Sequence, residues 1–227
     1  MIDHLSPWVE FLFGISFIVC LIGFYFANGK PKGATLLILL WSFVQGLLAY
    51  EGFYRNLDAF PPRFILVLFP ALATVGFFLR HSVIDWLMNE RKPQISTLMH
   101  SIRLPIELVL YGLYTHRMIP QLMTFEGRNF DIFIGISALF MGAFYVKTKL
   151  KFRLLWNVTG LLFVLFILVN AILSAELPFQ QFAFDQPNRA VIYFPFVLLP
   201  ATIVPLVIWT HLTDILLLYR QIKRTNN

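Results

Sequence analysis

Five polar side chains recur at helical spacing inside an otherwise apolar stretch, residues 97–115. They stand three or four positions apart, which places them on one face of an α-helix, and they are His100, Arg103, Glu107, Tyr111 and Tyr114. We call this face the polar stripe. Ionisable side chains are costly to place in a membrane-spanning segment, so those found in such an apolar stretch are candidates for function. Because Arg103 and Glu107 are one helical turn apart, the spacing predicts that they pair with each other.

Two structural alternatives stay open for the polar stripe. The Arg103 side chain could extend to the head groups of a nearby membrane surface, or the predicted pair could only hold helices together. Asn157 and Asn170 lie in a later apolar stretch. They are equally compatible with ligand contacts and with interhelical hydrogen bonds.

Three histidines and an aspartate form a second candidate set. If successive apolar stretches cross a bilayer in alternating directions, His81, His100 and His211 lie at similar depths, with Asp214 on the same helix face as His211. Imidazoles and carboxylates are ligands of catalytic zinc, which turns bound water into a nucleophile near neutral pH. These residues suggest a zinc-dependent lipid hydrolase. The alternative is that the histidines only form hydrogen bonds near helix ends.

A third polar group gathers around three connections that are rich in phenylalanine, near residues 54–63, 116–129 and 174–189. Its members are Glu51, His116, Arg117, Glu126, Arg128, Asp131 and Asp185. We expect these connections to fold over the helix ends as an outer cap. The cap would either gate a cavity or only fix the helix ends through salt bridges. Asn129 or Asp131 is expected to cap the helix that follows.

The elements that must position these groups are seven apolar stretches, approximately 8–28, 34–54, 61–80, 97–115, 129–146, 154–175 and 190–217. Hydrophobic residues make up 58% of the chain and charged residues 13%, against about 25% charged residues in soluble domains. A membrane helix needs about 20 apolar residues, and no stretch alternates as barrel strands do. The sequence therefore predicts an all-α bundle of seven transmembrane helices, a single membrane domain over residues 1–227.

Basic residues give this bundle a direction. Twelve of the eighteen lysines and arginines fall on alternate connections and on the C-terminal tail, namely Lys30, Lys32, Arg80, Arg91, Lys92, Lys147, Lys149, Lys151, Arg153, Arg220, Lys223 and Arg224. Basic loops stay on the cytoplasmic side. We therefore expect the N-terminus outside and the C-terminus inside, in the cell (inner) membrane. Since this placement explains the net charge of +6, no nucleic-acid partner is expected.

The last apolar stretch contains prolines at five-residue intervals, Pro195, Pro200 and Pro205. Proline cannot donate a backbone hydrogen bond, so the spacing predicts a kinked helix with unpaired carbonyls. Transporters use such broken helices to bind substrates and ions. Receptors and rhodopsins contain prolines in these positions as well, so the pattern does not choose among them.

Seven helices in this orientation resemble the architecture of the microbial rhodopsins. Their retinal requires a lysine in the last helix, and no lysine occurs between Ala190 and Tyr219, so no retinal is expected. The three histidines are similar to those of the seven-helix zinc hydrolases of the ceramidase type. In those hydrolases the last helix contains two histidines in the pattern H-x-x-x-H. The last apolar stretch of this chain contains only His211.

The favoured hypothesis is a membrane protein that binds a small apolar or lipid-like ligand in an intramembrane cavity lined by the polar stripe. The second hypothesis is the zinc-dependent lipid hydrolase, with zinc as the one cofactor considered. A proton-coupled transporter with Glu107 as proton carrier and a purely structural subunit are further alternatives. Membrane lipid is the expected partner, and a second copy of the chain or another subunit of a membrane complex stays open.

Overall fold

The computed structural model describes residues 2, 4–57, 59–79, 85 and 89–226. Within these residues the chain is helical and contains no β-strand, apart from one isolated bridge between Ala175 and Asn188. The all-α prediction is confirmed. The helices are α1 (Pro7–Ala27), α2 (Lys32–Tyr50), α3 (Ile65–Phe78), α4 (Pro93–Met99), α5 (Arg103–Thr115), α6 (Asp131–Ala143), α7 (Leu150–Leu173) and α8 (Val204–Asn226).

Four helical segments are long and apolar enough to cross a membrane, within the part of the chain that the structure describes. They are Pro7–Ala27, Lys32–Tyr50, Leu150–Leu173 and Leu199–Thr225. The apolar helices α3 and α6 are shorter, with 14 and 13 residues. Large apolar side chains cover the outside of the bundle, for example Phe11, Phe43 and Phe69, each about 70% exposed. Such a surface is compatible with a membrane protein, whose outer face is solvated by lipid.

The segment Leu199–Thr225 forms the centre of the bundle. It is 78% buried over a membrane-length window, whereas the other three long segments are 22–33% buried. Its closest neighbour is α7, which approaches it at Gly160. A Cβ atom at this position would lie 2.5 Å from Cε1 of His211, so only glycine permits this approach.

Two helices are interrupted where the sequence contains proline. A 3₁₀ turn, His100–Ile102, joins α4 to α5 and ends three residues before Pro105, which cannot donate to the carbonyl of Ser101. In the last apolar stretch, a short 3₁₀ turn at Ala190–Ile192 is followed by a π-helical segment, Leu199–Ile203, that runs into α8. The kink expected in the last apolar stretch therefore takes the form of a change from π-helix to α-helix. The long α-helix α8 begins only at Val204.

Candidate functional site: a buried polar cluster

Arg103 lies at the centre of a polar cluster in the interior of the bundle. Its Nη1 atom donates to Oδ1 of Asp131 at 2.8 Å, and its Nη2 atom donates to Nε2 of His211 at 2.9 Å. Both terminal nitrogens also lie 3.3–3.4 Å from the carbonyl of Gly160. Arg103 is 3% exposed. It therefore joins α5, α6, α7 and α8 through one buried guanidinium.

The partners of His211 define which of its nitrogens bears a proton. A guanidinium can only donate, so Nε2 of His211 is the acceptor from Arg103. The other ring nitrogen, Nδ1, lies 3.0 Å from Oδ1 of Asn157, whose amide nitrogen donates to the carbonyl of Arg153. Nδ1 is therefore the protonated nitrogen, and the imidazole is neutral.

The ring of His100 packs against the ring of His211. The two rings stack with centroids 3.8 Å apart and planes 14° from parallel, and Trp156 contacts both rings. Both ring nitrogens of His100 are buried without a hydrogen-bond partner among the described residues. The stack closes one end of the cluster, next to Trp156.

Glu107 lies at the other end of the cluster and is linked to it by Asn129. The side-chain amide of Asn129 donates to Oε1 of Glu107 and to the carbonyl of Met123, and its Oδ1 accepts from the backbone N–H of Asp131 at 3.1 Å. Asn129 therefore bonds to the first backbone N–H of α6 from the position before the N-cap, which is Phe130, so neither Asn129 nor Asp131 is the N-cap residue expected from the sequence. A continuous chain of hydrogen bonds results, from Glu107 through Asn129, Asp131, Arg103 and His211 to Asn157.

The predicted pairing of Arg103 with Glu107 is wrong, because a carboxylate from a distant element takes its place. Arg103 forms its ion pair with Asp131, which the sequence placed in the outer cap. Glu107 bonds to Asn129 instead, and its second oxygen, Oε2, has no hydrogen-bond partner among the described residues. Asp131 is thus a member of the buried cluster and not of the cap.

The rest of the polar stripe and Asn170 lie away from this cluster. Tyr111 and Tyr114 are half-buried, and the Tyr111 ring stacks on Phe125 with centroids 5.3 Å apart. Asn170 is buried, but its amide donates to the carbonyl of Phe166 on its own helix. The structure therefore brings together His100, Arg103, Glu107 and Asn157 from the predicted ligand-binding residues.

A second buried ion pair, which we call the Arg91 clasp, joins the C-terminal end of α1 to α4 and α8. Nε of Arg91 donates to Oδ1 of Asp214 at 2.6 Å, and its terminal nitrogens donate to Asn28, Ser96 and the carbonyl of Thr210. Ser96 also donates to Oδ2 of Asp214 at 2.5 Å. Because both charges are paired and hydrogen-bonded, burial of this pair is compensated.

The predicted zinc ligands are not assembled in the described part of the chain. His81 lies outside the described residues, His100 and His211 are stacked face to face, and Asp214 belongs to the Arg91 clasp. Among the described residues, no group of three histidine, cysteine, aspartate or glutamate side chains is placed to hold a metal ion. The zinc hypothesis therefore gains no support from this geometry.

The outer-cap residues separate into individual contacts. His116 bonds to Ser6 and to the carbonyl of Gly112, and Arg128 lies over the ring of Phe182. The others are exposed on the surface: Glu51, Arg117, Glu126 and Asp185. An exposed ion pair joins Arg189 to Glu176, and its hydrogen bonds hold the pKa of Glu176 below its ordinary value. The connections near 116–129 and 174–189 are joined by the N–H groups of Arg189 and Ala190, which donate to the carbonyl of Met118.

A small cavity adjoins the buried polar cluster. Its volume is about 80 Å³, and its polar end is formed by Arg103, Glu107, Asn129 and Asp131. The remaining wall is apolar and includes Leu199, Pro200 and Ile203 of the π-helical segment. The cavity is smaller than the cavity of about 150 Å³ that admits a benzene-sized molecule, yet large enough for water.

A larger pocket lies on the opposite side of the π-helical segment, between α1, α2, α3 and α8. Its volume is about 430 Å³, which is within the range of about 300–1,000 Å³ found for ligand sites. The wall is almost wholly apolar and includes Leu37, Ile38, Trp41, Pro70, Ala71, Ala201, Thr202 and Trp209. Leu37 and Thr74 of this wall are exposed at the outside of the bundle, so the pocket opens sideways between α2 and α3.

Comparison with protein-family models, with curated proteins and with solved structures gives no match. The function must therefore be inferred from the geometry of these sites.

Several residues of these sites give no functional signal in the sequence. Arg91 reads as one more basic loop residue, although it is 6% exposed, and Gly160 reads as an ordinary glycine in an apolar helix. Trp41 and Trp209 read as apolar helix residues. Only the tertiary fold brings them to the clasp, the cluster and the larger pocket.

Proposed function

We propose that this chain is an integral membrane protein that binds a lipid-like ligand in the larger pocket. It crosses the cell (inner) membrane seven times, with the N-terminus outside and the C-terminus inside. The seven-span arrangement is supported by the helices, because each of the seven apolar stretches contains helical structure.

Volume decides between the two cavities as the site of a lipid-like ligand. The cavity at the polar stripe, at about 80 Å³, is too small for an acyl chain, whereas the larger pocket, at about 430 Å³, is of suitable size. An acyl chain needs an apolar wall and a route from the bilayer. The larger pocket offers both, since it opens sideways at Leu37 and Thr74.

The single observation that carries this proposal is the size and apolar wall of the larger pocket. Interiors of folded proteins are close-packed and contain few voids larger than a water molecule. A purely structural subunit has no need of such a pocket. A ligand entering between α2 and α3 would lie against the rings of Trp41 and Trp209.

The test compares two alanines on α3. Ala71 is 8% exposed and lines the pocket, whereas Ala73 is exposed and does not line it. The protein is purified in mild detergent, and native mass spectrometry measures the lipid that remains bound. We expect wild type and the control variant Ala73→Phe to retain one lipid per chain, and Ala71→Phe to lose most of it because the phenyl ring occupies part of the space that the acyl chain needs.

The proposal is wrong if the wild-type protein carries no lipid after mild detergent extraction and after re-addition of bilayer lipid. It is also wrong if Ala71→Phe and Ala73→Phe retain the same amount. Circular dichroism and gel filtration of each variant establish that it is folded before the comparison is made.

A further inference from the structure

The charges of the buried polar cluster do not balance if every acid in it is ionised. One guanidinium, Arg103, faces two carboxyl groups, Asp131 from α6 and Glu107 from α5 itself. Asp131 forms the ion pair with Arg103 at 2.8 Å. Glu107 is only 1% exposed. If it were ionised, its negative charge would be buried without a partner, which is strongly disfavoured.

Among the described residues, no other side chain around Glu107 supplies the missing positive charge. His211 of α8 is neutral, because its Nε2 accepts from Arg103, and His100 of the 3₁₀ turn has no counter-ion and stacks on His211. The α7 residues that line the small cavity beside Glu107 are apolar, among them Val164 and Ile167. Arg91 is already paired with Asp214 in the clasp.

We propose that the buried polar cluster is a proton-binding site, in which the carboxyl group of Glu107 holds one exchangeable proton. On release, the O–H bond of the carboxyl breaks, the proton passes to a water molecule in the small cavity, and the carboxylate left behind accepts from Asn129. On uptake the same steps run in reverse. This proposal is independent of lipid binding in the larger pocket.

The geometry supports exchange of this proton and not only its storage. Glu107, Asn129, Asp131 and Arg103 all line the small cavity, whose volume of about 80 Å³ is large enough for water. The same cavity is lined by Pro200 and Ile203 of the π-helical segment. Departures from regular α-helix of this kind are frequent at functional sites in membrane helices.

The experiment is infrared difference spectroscopy of the purified full-length protein in lipid nanodiscs, titrated with acid and base and repeated in D₂O. A protonated carboxyl group has a C=O stretching band separate from the backbone amide bands. We expect one such band at neutral pH in wild type, shifted in D₂O, lost on alkaline titration and absent in Glu107→Gln. The matched control is Glu126→Gln, the same change on an exposed glutamate, which keeps the band.

Isotope labelling keeps the test valid if Glu107→Gln does not fold. In wild-type protein grown with glutamate labelled by ¹³C at the side-chain carboxyl, the band moves to lower frequency if a glutamate carries the proton and stays in place if Asp131 does. Absence of the band at neutral pH, its persistence in folded Glu107→Gln, or its failure to move with labelled glutamate would each overturn the proposal. A band that does not shift in D₂O would show a trapped proton and would also overturn it.

Discussion

At the scale of single residues, Arg103 organises the interior because its guanidinium satisfies acceptors from three other helices. It donates to Asp131 of α6, to Gly160 of α7 and to His211 of α8. Only an arginine presents several donors in one plane with a fixed geometry. Loss of this side chain leaves Asp131 as an uncompensated buried charge.

We expect Arg103→Leu to reduce the free energy of unfolding by about 3–5 kcal/mol, the cost of breaking a buried ion pair by removing one partner. The double variant Arg103→Leu with Asp131→Leu should recover much of this loss, because neither charge is then left alone. Denaturant titration of the purified proteins in mixed micelles measures each value.

The exposed pair of Arg189 and Glu176 is the control for this experiment, with side chains 47% and 40% exposed. Solvent screens such a pair, so Arg189→Leu should cost only about 0.2–1 kcal/mol. Equal losses for Arg103→Leu and Arg189→Leu, or a double variant as unstable as the sum of its singles, would contradict the role given to Arg103.

Sequence reasoning at this scale finds the inward-facing residues but not their partners. Helical spacing is sufficient to group His100, Arg103 and Glu107 on one face, and all three are buried. The partner of Arg103 is Asp131, 28 residues away, because α6 packs against α5 there. Spacing along the sequence cannot identify a partner that comes close only through tertiary packing, which is why the predicted Arg103–Glu107 pairing is wrong.

At the scale of elements, the π-helical segment Leu199–Ile203 separates the two cavities. Leu199, Pro200 and Ile203 line the small cavity, while Ala201 and Thr202 line the larger pocket. The prolines explain why regular helix is lost here, since Pro205 has no N–H for the carbonyl of Ala201. The indole N–H of Trp41 on α2 donates to that carbonyl at 3.0 Å.

We expect Trp41→Phe to cost about 1–3 kcal/mol of folding free energy, because it leaves the carbonyl of Ala201 without its donor. In a Pro205→Ala background the same change should cost less, since the substituted residue has a backbone N–H of its own to donate to that carbonyl. A double-mutant cycle by denaturant titration measures the difference. An identical cost of Trp41→Phe in both backgrounds would show that this hydrogen bond does not serve the proline break.

The prolines therefore allow the interruption of the last helix to be predicted from the sequence. They do not predict which structure replaces regular α-helix there. Spacing alone predicts unpaired carbonyls in the last apolar stretch. That one of them is satisfied by Trp41, and that the break takes a π-helical form, depends on how α2 packs against this segment. The same holds for the 3₁₀ turn before Pro105, which the sequence marks only as a missing donor.

At the scale of the whole molecule, the prediction of an apolar helical bundle rests mostly on composition and on the distribution of charged residues. The apolar stretches are evident because lipid-facing helices need apolar residues throughout, and the helical fold follows from them. Which polar residues meet is set by packing: Arg91 and Asp214 come from segments more than 100 residues apart and form the clasp. The proposed seven-span topology decides where both cavities would lie relative to the membrane.

The most direct test of the account is therefore the sidedness of two exposed loop residues. Glu126 lies between α5 and α6, and Lys149 lies between α6 and α7. Cys20 is the only cysteine and is buried, so Cys20→Ala gives a background for single introduced cysteines. Each variant is treated in intact cells with a maleimide reagent that cannot cross the membrane.

We expect Glu126→Cys to be labelled in intact cells, and Lys149→Cys to be labelled only after the membrane is permeabilised. This result places the outer cap and the basic connection on opposite sides, as the seven-span bundle requires. Labelling of both positions in intact cells, or of Lys149→Cys alone, would contradict the topology and with it the location proposed for the lipid pocket and the proton site.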